Sequence, residues 1–108
     1  MEDQYNAVID SIKLLAMPYE RQVTMFPNFV DIPFEIIDTF NEAFLLLPDL
    51  IEKEYFTNKG IASIIRIFNW IQLTSSNPLL KDYNEIDFMV APQWEKLREM
   101  SKEALNHL

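Results

Sequence analysis

The sequence predicts an all-α protein, an irregular helical bundle of about four main helices joined by short helical turns. Three observations carry that expectation. Glycine occurs once in 108 residues, at Gly60, so the turn chemistry of a series of hairpins is missing. Six prolines, Pro18, Pro27, Pro33, Pro48, Pro78 and Pro92, each fit a helix boundary or a first turn, where a missing N–H costs nothing. Between them, apolar residues recur at three- and four-residue spacing. Residues 1–108 read as one domain, since this length suits one core and not two.

The first helix is expected over Asp3 to Met17, with Tyr5, Val8, Ile9, Ile12, Leu15 and Ala16 on one side and Pro18 as its stop. A single helical turn follows around Glu20 to Met25, and Asn28 to Ile32 reads as a loop. Pro33 opens a second helix that runs to about Leu46, capped by Asp31 or Ile32. Its buried stripe is expected from Phe34, Ile37, Phe40, Phe44 and Leu47. A short helix from Pro48 to Tyr55 comes next. Thr57 then caps a helix over Asn58 to Leu73, lined by Ile61, Ile64, Ile65, Phe68 and Ile71 and widened by Ile67 and Trp70. So broad an apolar face marks the expected central helix. Thr74 to Asn77 reads as a polar loop and Asn84 to Val90 as one short turn. Pro92 opens the last helix, with Trp94, Leu97, Ser101, Ala104 or Leu105, and Leu108 inward. Its outer face, with Glu95–Arg98 and Glu99–Lys102 as favourable pairs, reads as solvated.

Composition narrows the function. Apolar residues make up 49% and aromatic residues 13%, enough for a core without staples. There is no cysteine, which removes disulfides, thiolate metal sites and a cysteine nucleophile. The longest apolar run is Ala43 to Leu47, far short of the ~20 residues that a membrane-crossing helix needs. Acid stands near the N-terminus where a secretory signal carries base. The expectation is a cytoplasmic protein, monomeric when free. Seventeen acids oppose nine bases, for a formal charge of −8. That balance argues against direct contact with nucleic acid or an anionic membrane; it keeps the protein soluble, and it can also steer it onto a basic protein partner.

Chemistry is sparse. His107 is the single histidine, and at the chain end it supports neither a catalytic triad nor a metal site. Asn58-Lys59-Gly60 matches no phosphate loop. Glu35, Asp38 and Glu42 share one helix face, but away from the apolar stripe they lack the burial that tunes carboxylates for hydrolysis. The expectation is a non-enzymatic protein with no cofactor and no metal. One charge feature stands apart. From Asp31 to Glu54 lie seven acids, Asp31, Glu35, Asp38, Glu42, Asp49, Glu52 and Glu54, against the single base Lys53. Tyr55 and Phe56 adjoin them as candidate aromatic anchors. The candidate partner-binding residues are therefore Asp31, Glu35, Asp38, Glu42, Asp49, Glu52, Tyr55 and Phe56.

Phe26-Pro27-Asn28-Phe29-Val30, then Pro33-Phe34-Glu35-Ile36, then the acidic-aromatic helix, then Trp94-Glu95-Lys96-Leu97-Arg98 opening the last helix, form a pattern. Over roughly residues 19 to 108 it resembles small bacterial immunity proteins, the CdiI type of contact-dependent growth inhibition systems. The sequence departs from that pattern at Asp87-Phe88, where a tryptophan would be expected, and at Ser101, where alanine would be. The resemblance implies an inhibitor that binds a cognate toxin protein with a basic surface, such as a nuclease domain, and does no chemistry itself. The rival expectation is a non-catalytic helical adaptor or regulatory subunit of a larger assembly. A third is an acidic mimic of nucleic acid.

Overall fold

A computed structural model describes residues 2–27, 29–75 and 91–108. The protein is all-α, and no strand occurs among the described residues. Six α-helices lie there: α1 (Glu2–Ala16), α2 (Tyr19–Gln22), α3 (Ile32–Phe44), α4 (Leu47–Glu52), α5 (Asn58–Ser75) and α6 (Pro92–Leu105). A 3-10 turn, Val23–Met25, continues α2. The expected turn at Asn84 to Val90, the end of the expected loop Thr74 to Asn77, and Asp87-Phe88 lie outside the described residues.

The boundaries follow from local chemistry. Glu2 and Asp3 occupy the first turn of α1, where negative charge complements the helix dipole. Pro18 has no N–H to continue the helix, and it becomes the N-cap of α2 with φ −63° and ψ 156°. Asp31 caps α3 by accepting the Phe34 backbone N–H at 3.2 Å, with Pro33 in the first turn. Thr57 Oγ1 accepts the Gly60 N–H at 3.1 Å at the start of α5. The end of α4 is less ordinary. Glu54 takes φ 61°, Tyr55 N–H donates to Leu50 O at 3.0 Å, and Glu54 N–H donates to Ile51 O at 3.0 Å. This is a Schellman closure with glutamate in the left-handed position that glycine usually fills.

Packing corrects three expectations. First, the buried face of α3 is Ile32, Pro33, Ile36, Phe40 and Ala43, continued by Leu47. Phe34, expected inside, is 51% exposed. Ile37 and Phe44 are half-buried, and Phe44 stacks on Phe68 of α5 with ring centroids 4.1 Å apart. Second, α1 and not α5 holds the middle, packing against α3, α4 and α6, while α5 lies against α6. Ile64, Ile67 and Ile71 of α5 are fully buried, whereas Ile65 is 40% exposed. Third, α5 runs on through Thr74 and Ser75. The Thr74 hydroxyl donates back to Trp70 O at 2.7 Å, so this polar residue stays satisfied inside the helix.

The inward face of α6 is Trp94, Leu97, Ser101 and Ala104, as the spacing implies, but it also includes Arg98. Arg98 is only 3% exposed. Its guanidinium donates from Nε and Nη2 to Gln22 Oε1 at 3.2 and 3.0 Å, and from Nη1 to Glu95 at 3.2 Å. Gln22 is itself fully buried, and its Nε2 donates to Leu14 O at 3.0 Å and Leu15 O at 3.4 Å. Those carbonyls belong to the last turn of α1, where Pro18 offers no N–H to Leu14 O and only the Met17 N–H reaches it, at 3.3 Å. One amide therefore ends α1 and holds α6.

Candidate protein-binding surface

The acids of α3 are placed by the cap and the core together. Asp31 fixes where the helix begins, and Ile36, Phe40 and Ala43 fix which side is buried. At 100° per residue, Glu35, Asp38 and Glu42 then fall within a narrow arc, a ridge along the helix. Glu35 and Asp38 are half-buried and Glu42 is exposed. Asp49 and Glu52 are exposed on α4, three residues apart and so on one side of it. Among the described residues none of these five acids is in an ion pair. The first turn of α3 stabilises Glu35 through the dipole. Asp49 likewise lies in the first turn of the short helix α4.

Tyr55 and Phe56 are placed differently from free anchors. Phe56 is half-buried and stacks on Tyr5 of α1, centroids 5.3 Å apart at 25°. The Tyr55 ring stands 5.6 Å from Tyr5 and is 37% exposed. Both rings help close the molecule between α1 and the end of α4. The apolar surface nearest the acids in sequence comes from residues that were not expected as anchors: Phe29 at 88% exposure, Phe34 at 51% and Leu45 at 77%. Phe34, Asp38 and Leu45 share one side of α3, at spacings of four and seven residues.

On the other side of the ridge a groove of about 690 Å³ runs between α1 and α3. Its apolar lining includes Ala7, Leu14, Met17, Ala43 and Leu46, closed at one end by Met25 and Phe26. Asp10 and Lys13 of α1 and Thr39 and Glu42 of α3 supply its polar atoms. Glu42 thus belongs to both ridge and groove.

On α6 and at the end of the chain several charged groups are paired. His107 Nε2 lies 3.3 Å from Glu103 Oε1, and Lys102 pairs with Glu99 at 3.4 Å. Lys96 Nζ sits 4.2 Å from the centre of the Trp70 ring, a cation–π contact, while Trp70 Nε1 donates to Gln93 O at 3.3 Å. Among the described residues no group of three or more His, Asp or Glu is placed to hold a metal ion, and no helix is long and apolar enough to cross a membrane. Comparison with known proteins gave no significant match to a family model, a curated sequence or a solved structure. The likeness to immunity proteins rests on the short motifs alone.

Proposed function

We propose that this chain is an immunity protein: it binds a cognate bacterial toxin domain in the cytoplasm and neutralises it by covering a basic surface. A nuclease is the toxin class that best fits, because its substrate-binding surface is basic. The observation that carries the reading is the α3 ridge, where Glu35, Asp38 and Glu42 share one face without an ion-pair partner among the described residues. Exposed Phe34 and Leu45 flank that ridge. Carboxylates so placed compete with phosphate for a basic site and steer association, which reaches ~10⁸–10⁹ M⁻¹s⁻¹ at low salt for strongly complementary pairs. Flanking apolar side chains add contact area that outlasts salt screening. In this reading α1, α3, α5 and α6 are the four main helices of an irregular bundle, and the free protein is a monomer. No catalytic residue, cofactor or metal takes part.

The test is charge reversal. Glu35→Lys, Asp38→Lys and Glu42→Lys together leave Ile36, Phe40 and Ala43 untouched. The product of the adjacent upstream gene, co-expressed with the chain, serves as the candidate toxin. The triple variant is expected to stay helical by circular dichroism, to associate slowly and to protect cells poorly. The wild-type on-rate is expected to fall as salt rises, since exposed charges are screened over ~8–10 Å. Full protection by the triple variant, with an unchanged rate and salt dependence, would overturn this reading.

A further inference from the structure

We infer that the groove between α1 and α3 receives a short amphipathic helix of the partner, with bulky apolar side chains on the groove floor and Lys or Arg at its flanks. The inference rests on the reading of a basic protein partner given above and names the element of that partner which docks. Dimensions are the first argument. The lining runs from Ala7 on α1 to Met17 just past its end, and from Thr39 on α3 to Leu46 just past its end. At 1.5 Å per residue these walls are ~15 Å and ~10 Å long, the length of two to three helical turns. The volume of about 690 Å³ accommodates several side chains.

Charge is the second argument. The α1 wall carries Asp10 and Lys13, one charge of each sign, and the α3 wall carries Glu42. Asp38 and Glu35 continue the negative charge along α3. The rims together carry one net negative charge, and the acids along α3 add to it, which suits a helix whose apolar stripe is bordered by cations, chiefly where it faces α3. The third argument is the lining itself. Met17 and Met25 both line the groove, and Met25 is 52% exposed. Unbranched thioether side chains re-pack around an incoming apolar group at little cost. Ala7 and Ala43 keep the groove open by being small.

The experiment uses the isotope-labelled full chain and two synthetic probes, an amphipathic helical peptide of about fifteen Leu and Lys residues (about four turns) and its Leu/Glu counterpart. The Leu/Lys peptide is expected to saturate at one per chain and to shift the backbone amides of Ala7, Asp10, Leu14, Thr39 and Ala43, while the Leu/Glu peptide does neither. Ala7→Trp fills the groove mouth without changing charge and is expected to weaken binding at least about tenfold. Asp10→Lys repeats the test from the rim should the bulky residue disturb the fold. Glu35→Lys with Asp38→Lys, which lie off the groove, is expected to weaken binding less than Ala7→Trp does. Amide shifts that miss the groove, or binding that Ala7→Trp and Asp10→Lys leave unchanged, would overturn the inference. The co-expressed candidate toxin separates it from the parent reading. If both groove variants associate normally and the Glu35→Lys/Asp38→Lys variant does not, the groove falls and the acidic surface stands. If the groove variants fail and the Glu35→Lys/Asp38→Lys variant associates normally, the groove stands and the ridge falls.

Discussion

Arg98 and the acids of α3 are charges on helices of similar length, yet they meet opposite surroundings. The guanidinium is 3% exposed and donates to Gln22 and Glu95. The carboxylates of Asp38 and Glu42 stand at or near the surface with no ion-pair partner among the described residues. A buried charge survives only when its donors are met, so Arg98 is explained by the fold. Exposed charge needs no such support, so the fold does not explain why three acids share one face of α3. Partnering, more than charge, separates a side chain that holds this molecule together from one available to another molecule.

The largest expected effect breaks the buried side of that comparison. Gln22→Leu removes the acceptor for two guanidinium N–H groups and the donor for the α1 carbonyls. Arg98 keeps its pairing with Glu95, and leaving the buried N–H groups without the Gln22 acceptor costs ~1–3 kcal/mol, which denaturant unfolding would register. Adding Arg98→Met removes the guanidinium N–H groups that Gln22 no longer accepts and should recover part of that loss, as coupled residues do. A double variant no more stable than Gln22→Leu alone would mean that Gln22 acts mainly on α1 and that the tie to α6 contributes little.

A middle case is Gly60, which is buried against the chain's last residues. A Cβ there would meet His107 O at 2.8 Å and Leu108 Cδ2 at 3.0 Å. Alanine gains ~1 kcal/mol of helix propensity, but the backbone oxygen at that distance has to move. Gly60→Ala is expected to destabilise by about 1 kcal/mol net and to loosen the amides of His107 and Leu108, as hydrogen exchange would report. A higher melting temperature would show that the end of the chain yields without loss and that α5 does not depend on it.

These contrasts also show what sequence could reveal. The prolines, Asp31 and Thr57 act through neighbours a few residues away, so the helix starts were legible from local chemistry. The inward face of α3 was not. Phe34, Ile37, Phe40 and Phe44 keep helical period, but so do Ile36, Phe40, Ala43 and Leu47. Side-chain volume favoured the phenylalanines, whereas the close approach of α1 to α3 favours Ala43. Arg98 was legible in principle, at four residues from Trp94 and one from Leu97, yet a charge reads as surface until its partner is known. That partner, Gln22, lies 76 residues away, beyond the reach of any local pattern. Within the candidate surface, the ridge of Glu35, Asp38 and Glu42 was legible from spacing, while the groove was not, because it needs two helices distant in sequence.

The smallest expected change in stability sharpens the exposed side. Asp38 stands three residues from Glu35 and four from Glu42, both positions of like charge on one helix face. Such pairs cost ~0.2–0.5 kcal/mol each. Asp38→Asn with Glu42→Gln keeps the side-chain shapes, keeps Glu35 at the favourable end of the helix dipole and removes the repulsion. The variant is expected to be as stable as the wild type or up to about 0.5 kcal/mol more stable. It should also associate more slowly with the co-expressed partner at low salt, with the difference shrinking as salt is added. A loss above about 1 kcal/mol would place these acids with Arg98, as groups the fold requires. A neutral or stabilised variant that associates slowly would mean that the chain carries these charges at a small cost to itself, for contact with something else.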